Sequence, residues 1–138
     1  MTPVFQTRFG ADGNCWPACL ASLLECTIEE VDHCACHNEG WQERTQEFLA
    51  KRGLFWIEIV FTQTGVLPFT SPPNGSLCII GCVTARKRPH VVVARVVEIA
   101  ATFDGHPRHR YDVVHDPMPG GSSGIVVDAI MFIGKLFN

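Results

Sequence analysis

The chain has 138 residues, of which 46% are hydrophobic and 18% are charged, and its formal net charge is −3. This length fits one domain over residues 1–138, and the ordinary apolar content without low-complexity tracts excludes a collagen, a coiled coil or a disordered chain. The slight acidity argues against a nucleic-acid partner, because proteins that bind nucleic acid usually carry a strong basic excess.

The first element predicted along the chain is a helix over residues 15–25. It follows an extended start and a turn at 10–14, and its apolar residues recur at helical intervals. Asn14 is suited to the N-cap position, and Pro17 is tolerated in a first turn because its missing N–H would be unpaired there anyway.

Two more helices are predicted before residue 54. Thr27 and Glu30 have the spacing of a capping box, which predicts a short helix that ends near Asp32. A longer helix is predicted over 41–52, with Gly53 as its C-terminal stop. The first half of the chain is therefore predicted to be mainly helical.

The second half of the chain changes to the period-two pattern of strands. Runs rich in β-branched and aromatic residues predict strands at 54–61, 76–83, 90–99, 110–115 and 125–133, the last of them with some helical character. The loops between them are predicted at 68–75, 86–89, 104–108 and 116–124. Helices followed by hairpin-linked strands predict an α+β fold, in which the helices pack on an antiparallel sheet.

Seven cysteines are the unusual part of the composition, because an odd number cannot pair completely within one chain. Residues 1–14 lack the apolar run of a secretory signal, and no apolar stretch approaches the ~20 residues that cross a bilayer. We therefore expect a cytoplasmic protein with reduced thiols and no membrane partner. A secreted scaffold held by disulfides is the alternative.

Three residues have the types and placements of a nucleophilic acyl-transfer site. Cys15 begins the first predicted helix, where backbone N–H groups and the helix dipole favour the reactive thiolate. His90 opens a strand directly after a turn, where an imidazole that faces the helix can serve as general base. Asp116 follows the next strand, where a carboxylate can hold that imidazole in its working tautomer.

Two groups are candidates for stabilising the oxyanion that forms during acyl transfer. One is the backbone N–H of Cys15 at the helix start, and the other is the side-chain amide of Gln6 on the extended segment upstream. The candidate residues therefore occur in the chain order Gln6, Cys15, His90 and Asp116, on an extended segment, a helix and two neighbouring strands.

Four segments carry a resemblance to a known family; they are QTRFG at 6–10, GNCWPACLASLLE at 13–25, PHVVV at 89–93 and HDPMP at 115–119. The chain resembles papain-like cysteine peptidases, and most closely the bacteriocin-processing branch with its small phage and bacterial relatives. From residue 6 to about residue 125, this resemblance implies a papain-like fold with the nucleophile at the start of the first helix.

The resemblance implies a role for each matching residue. Cys15 is the nucleophile, His90 the base, Asp116 the residue that orients the base, and Gln6 the oxyanion donor. Gln6 lies nine residues before Cys15, a longer interval than is usual in this branch. Asn14 is the alternative oxyanion donor.

Other residues near this set also have predicted places. Trp16 is expected both to pack and to form a wall of the groove that contacts substrate. Arg88, in the basic turn before His90, is the candidate for receiving an acidic group or carboxylate of the substrate, although basic turns are more often simply solvated. Cys19, one helical turn after the nucleophile, is expected in the core.

A second group of potential ligands lies within twelve residues; its members are Cys26, His33, Cys34, Cys36 and His37. Structural zinc sites favour ligand pairs spaced by two to four residues with a second pair farther along the chain, whereas this spacing is tight and irregular. We therefore predict a loop with incidental thiols and no metal, and a zinc site remains the alternative.

The sequence thus predicts a cysteine-nucleophile hydrolase or acyl transferase that acts on peptide, isopeptide or thioester-like bonds. Its predicted partner is a protein or peptide substrate, and the chemistry requires no cofactor. Two alternatives stay open. One is a non-catalytic interaction module of the same fold, which zinc could stabilise, and the other is a deamidase or transglutaminase-like enzyme that uses the same residues.

Overall fold

The computed structural model describes residues 1–60, 74–85, 87–99, 108–121 and 126–135. Over these residues, three α-helices precede five strands of one antiparallel sheet, which confirms the predicted α+β class. The helices are α1 (Cys15–Leu24), α2 (Ile28–Val31) and α3 (Trp41–Ala50). The strands are β1 (Leu54–Val60), β2 (Leu77–Val83), β3 (Pro89–Ile99), β4 (Arg108–His115) and β5 (Val126–Lys135).

Local capping features mark several of the helix ends. At the start of α2 the predicted capping box is present, and the Thr27 backbone N–H donates to the Glu30 carboxylate at 2.9 Å. Gly53 adopts φ +68° just after α3, a left-handed conformation that suits glycine, and α3 itself ends at Ala50. α1 ends at Leu24, and the cap residue Glu25 adopts φ 55° although it is not a glycine.

The five predicted strands are all present, and their described ends differ from the predicted ends by at most two residues. The spatial order is β1-β5-β2-β3-β4, so the last strand lies between the first two. The adjacent residues Ile130 and Met131 of β5 are both buried, as is typical of a central strand that is covered on both faces. Predictions for residues 61, 68–73, 86, 104–107 and 122–125 lie outside the described residues.

Two buried clusters lie on opposite faces of the sheet, because successive strand residues point to opposite sides. The first cluster joins side chains of all three helices to strand residues Ile79, Val93 and Met131. The second consists of Cys78, Ile80, Val92, Ala94, Val96 and Ile130. The helices therefore pack on one face of the sheet, and α1 packs on that face against β3.

Trp16 lies at the centre of the helix-covered core. Its ring contacts Trp41 and Trp56 at centroid distances of 5.6 and 5.4 Å, and its indole N–H donates to Thr45 Oγ1 at 3.1 Å. Because Trp16 is only 1% exposed, the structure corrects the prediction that it contacts substrate. The reason is helical geometry, since neighbouring residues on a helix point about 100° apart and Cys15 occupies the outward direction.

All seven cysteines lie within the described residues, and all are free thiols. Cys19 is fully buried in the first cluster, as predicted, and its thiol donates to the Val91 carbonyl at a distance of 3.6 Å. Burial raises the pKa of Cys19 well above its ordinary value, because desolvation disfavours the thiolate. Cys19 is therefore a packing residue.

No helix in the described part of the chain is long and apolar enough to cross a membrane.

Candidate active site

The fold brings Cys15, His90 and Asp116 to one place from three different elements. Cys15 is the first residue of α1, His90 is the second residue of β3, and Asp116 directly follows β4. Because α1 packs on β3 and β3 pairs with β4, the ends of these elements meet. Cys15 is partly exposed, whereas the side chains of His90 and Asp116 are mostly buried.

A short hydrogen bond joins His90 to Asp116. The distance between His90 Nε2 and Asp116 Oδ1 is 2.8 Å, and the side chains are 5% and 13% exposed. The same carboxylate oxygen accepts a bond from the backbone N–H of Met118 at 2.8 Å. The carboxylate is therefore fixed by the loop that follows β4, and it fixes the imidazole ring in turn.

The surroundings of His90 favour its protonated form. Burial lowers the pKa of His90, because desolvation disfavours the imidazolium. Hydrogen bonding and electrostatic interaction with Cys15 and Asp116 outweigh the effect of burial, so the pKa of His90 is raised above its ordinary value. Since Nε2 is bound to Asp116, Nδ1 is the ring nitrogen left for Cys15.

No side chain caps the first turn of α1, so backbone N–H groups there remain available as hydrogen-bond donors. Asn14 occupies the N-cap position, but its side chain makes no capping hydrogen bond. Pro17 has no N–H to donate. The backbone N–H of Cys15 therefore remains beside its own thiol as a donor for an oxyanion.

The side chain of Asn14 instead holds the N-terminal segment in place. Its Oδ1 accepts the backbone N–H groups of Thr7 and Arg8, both at 3.0 Å. Its Nδ2 donates to Thr7 Oγ1 and to Asp32 Oδ1 at 3.1 and 3.3 Å. Because both amide protons are used, the structure corrects the prediction that Asn14 could serve as the alternative oxyanion donor.

Asp32 anchors the same segment, and sequence reasoning assigned it no role. Its carboxylate oxygens accept two bonds from the Arg8 guanidinium at 2.8 and 2.7 Å. These bonds lower the pKa of Asp32, although burial acts in the opposite direction. An acidic residue just after a capping box gives no local signal that it will bind an arginine 24 residues upstream.

Gln6 lines the groove beside Cys15 and is buried. Its backbone N–H donates to the Pro117 carbonyl at 3.0 Å, which ties the N-terminal segment to the loop that holds Asp116. Its Nε2 donates to the Arg8 carbonyl at 3.3 Å, so the second amide proton is left for another acceptor. Its Oε1 is buried without a partner among the described residues.

A groove with a volume of about 770 Å³ lies over Cys15 and His90. Phe9, Met118 and Pro119 are among the apolar residues that line it, and Phe9 is 55% exposed. Sequence reasoning gave these three residues no role. The available signal was that each lies within three residues of Gln6 or Asp116 along the chain.

His115 is adjacent to Asp116 but belongs to a different contact. Its Nε2 lies 2.8 Å from the Val4 carbonyl oxygen, and its ring packs edge-on against Phe5 with centroids 5.2 Å apart. Adjacent residues of an extended chain point in opposite directions. His115 therefore secures the N-terminal segment, while Asp116 faces His90.

The potential metal ligands of segment 26–37 do not come together as the residues of the candidate active site do. Cys34 is buried in the first core cluster, Cys36 is exposed, and the ring of His33 packs against Phe48 at a centroid distance of 5.6 Å. In the described ranges of the chain, no group of three or more His, Cys, Asp or Glu side chains is arranged to hold a metal ion. The zinc alternative therefore lacks a ligand set there.

No protein-family model, curated protein or solved structure matches this chain. The site itself contains a partly exposed thiol at a helix start, a buried imidazole that lines the same groove and is bound to a carboxylate, and a backbone donor beside the thiol. Such an arrangement can stabilise a thiolate and imidazolium pair next to a groove. It has the parts needed for nucleophilic attack on a carbonyl group.

Proposed function

We propose that this protein is a cysteine hydrolase or acyl transferase that acts on amide-type bonds of a protein or peptide. The observation that carries the proposal is that Cys15 and His90 line one groove, while the carboxylate of Asp116 lies 2.8 Å from His90 Nε2 behind it. A buried imidazole bound to a carboxylate and to a partly exposed thiol is the arrangement that activates a cysteine nucleophile.

In the first half of the proposed reaction, the Cys15 thiolate attacks the carbonyl carbon of the scissile bond. The carbonyl oxygen becomes an oxyanion, which accepts hydrogen bonds from the Cys15 backbone N–H and from the second amide proton of Gln6. His90 passes its Nδ1 proton to the departing amine, and the C–N bond breaks. The acyl group is then bonded to the sulfur of Cys15.

In the second half, neutral His90 accepts a proton from water while the water oxygen attacks the acyl carbon. The C–S bond breaks, a carboxylic acid leaves, and the thiolate and imidazolium pair returns. An amine in place of water gives acyl transfer. Asp116 holds the His90 ring in orientation through both halves, and no step needs a cofactor.

A papain-like fold is part of the same proposal. The nucleophile begins a helix that packs on an antiparallel sheet, and the base lies on the strand against which that helix packs. This order of nucleophile, base and orienting carboxylate supports the resemblance noted in the sequence. The carboxylate at Asp116 follows the neighbouring strand, as the resemblance implies.

The test compares wild-type protein with Cys15→Ala on a library of peptides derived from a proteome, with products identified by mass spectrometry. We expect modified peptides that only the wild-type protein produces. New termini indicate hydrolysis, whereas deamidated or cross-linked glutamines indicate the deamidase or transglutaminase-like alternative. Cys36→Ala is the matched control, because Cys36 is an exposed thiol that does not line the groove. Identical products from wild-type protein and Cys15→Ala would contradict the proposal.

A further inference from the structure

Among the described residues that line the groove beside Cys15, Arg88 carries the one permanent positive charge. The other lining side chains in the described part of the chain are neutral or apolar apart from titratable Cys15 and His90, and none of them is a carboxylate. Asp116, which lies behind His90, is bound to that imidazole. The groove is therefore suited to a ligand with negative charge.

The backbone of Arg88 is held in a tight turn. Its N–H donates to Thr84 Oγ1 at 3.4 Å, and its carbonyl accepts the Thr84 backbone N–H at 3.0 Å. Within the same turn, the N–H of Lys87 donates to the Thr84 carbonyl at 2.8 Å. The backbone from which the Arg88 side chain extends is therefore held in place next to β3, the strand that carries His90.

The guanidinium of Arg88, in contrast, is not engaged. Across the described residues, no hydrogen bond or ion pair to it is present, and it remains exposed. Other arginine side chains do pair with carboxylates; they are Arg8, Arg52 and Arg110. A free guanidinium that lines a groove can accept a new anionic partner without first breaking an existing ion pair.

The spacing of Arg88 places it beside the catalytic base. Arg88 lies two residues before His90 along the chain, and both residues line the groove. His90 and Cys15 line the same groove. The planar guanidinium can bind a carboxylate through two parallel hydrogen bonds.

We infer that Arg88 makes the groove selective for substrates that carry a carboxylate next to the scissile bond. The carboxylate belongs either to an acidic side chain of the peptide or to its carboxyl terminus. This inference rests on the proposed function, and it adds the chemical class of the substrate to it.

Three thiol-directed probes that differ only in charge test the inference. N-iodoacetyl-glutamine α-amide is neutral, N-iodoacetyl-glutamate α-amide has only a side-chain carboxylate, and N-iodoacetyl-glutamine has only an α-carboxylate. In each case the Cys15 thiolate displaces iodide and forms a C–S bond. We expect at least one anionic probe to modify Cys15 about threefold to tenfold faster than the neutral probe. The faster anionic probe identifies the source of the carboxylate.

Two charge-removing variants serve as a matched pair. Arg88→Gln should abolish the preference for the anionic probe, whereas Lys87→Gln should keep it, because Lys87 belongs to the same turn but does not line the groove. Added salt should reduce the wild-type preference, as expected for an exposed charge. Equal rates for all three probes on wild-type protein, or an undiminished preference in Arg88→Gln, would overturn the inference.

The neutral probe separates this inference from the proposed function. A neutral probe that modifies Cys15 no faster than Cys36 contradicts the proposed function, and the inference about Arg88 fails with it. Rapid modification of Cys15 by all three probes, without regard to charge, overturns only the inference about Arg88.

Discussion

Two regions of this molecule are rich in thiols and imidazoles, and they differ in whether those groups converge. Segment 26–37 contains five potential ligands within twelve residues, yet no metal-binding group forms within the described residues. Cys15, His90 and Asp116 are spread over 102 positions of the chain, yet Cys15 and His90 line one groove and His90 binds Asp116. Closeness along the chain is therefore a weaker guide to a site than placement at the ends of packed elements.

The physical reason lies in what supports each region. A helix and paired strands are rigid elements. The side chains at their ends are therefore held in nearly fixed positions relative to one another. In segment 26–37, Cys34 is buried in the core, whereas Cys36 is an exposed residue. The potential ligands of this segment therefore have different surroundings, and within the described residues they form no metal-binding group.

The largest expected effect comes from removing the base. His90→Ala should lower the activity found in the peptide screen by about 10²- to 10⁴-fold, because both the proton acceptor and the stabilising imidazolium are lost. His37→Ala, an exposed histidine of segment 26–37, should leave that activity unchanged. Initial rates of the two purified variants make the comparison. A His90→Ala variant as active as the wild type would remove the distinction between the two regions.

A second comparison separates Gln6 from Asn14, the two predicted oxyanion donors. Gln6→Ala should lower kcat by about 10²-fold, because a donor to the oxyanion is lost. Asn14→Ala should instead lower the free energy of unfolding by about 1–3 kcal/mol, because its four side-chain hydrogen bonds hold the N-terminal segment.

Kinetics and urea unfolding of both variants check this assignment. A variant of Gln6 that keeps full kcat would exclude Gln6 as a donor. An Asn14→Ala variant with unchanged stability would mean that its hydrogen bonds do not secure the segment.

Asp116→Asn should produce a smaller loss of activity and a change in pH dependence. The pKa of His90 is raised above its ordinary value of 6.5 in the folded protein, in part by Asp116. The contribution of His90 to stability is therefore fully present below about pH 6.5, and it is lost as the pH rises through the pKa of the folded state. Asp116→Asn lowers that pKa, so this contribution becomes smaller and is lost at lower pH.

Urea unfolding of wild-type protein and Asp116→Asn between about pH 5.5 and pH 8.5 measures this difference. We expect the stability of the wild type to fall more steeply with rising pH. Asp112→Asn is a control, because Asp112 is an exposed carboxylate that binds Arg110 on the same strand. Equal pH dependence in wild-type protein and Asp116→Asn would show that the carboxylate does not stabilise the imidazolium.

The smallest expected effect is that of metal removal. A strong chelator should leave the melting temperature unchanged, because the described residues offer no ligand set for a metal ion. Metal analysis of the purified protein accompanies the thermal scan. Stoichiometric zinc with loss of folding on chelation would instead favour a zinc-stabilised interaction module.

Local signals in the sequence predicted most of the secondary structure. The Thr27 and Glu30 capping box and the glycine after α3 act through neighbouring residues, so they can be read without tertiary information. Strand order could not be predicted in this way, because the place of β5 between β1 and β2 depends on long-range burial of residues such as Ile130.

Candidate site residues could be proposed from the sequence where they begin or follow a helix or strand. Contacts between side chains that are far apart along the chain could not be predicted. Cys15, His90 and Asp116 are at such boundaries, so the topology brings them together. Asn14 is also at a boundary, but its amide binds Asp32, which local sequence does not indicate. The position of Trp16 directly after Cys15 predicts a place at the groove. Successive helix residues point in different directions, however, and the Trp16 side chain is buried in the core.

The most direct test of the central claim compares thiols within one molecule. Limited alkylation with iodoacetamide at neutral pH, followed by peptide mapping, gives the relative rates at Cys15, Cys34 and Cys36. Burial raises the pKa of the Cys36 thiol to about 12 and also raises that of Cys34, so the decisive comparison is the rate at Cys15 with and without His90. An activated nucleophile predicts that Cys15 reacts fastest and that His90→Ala removes this advantage. Faster modification of Cys34 or Cys36 in the wild-type protein would contradict the claim.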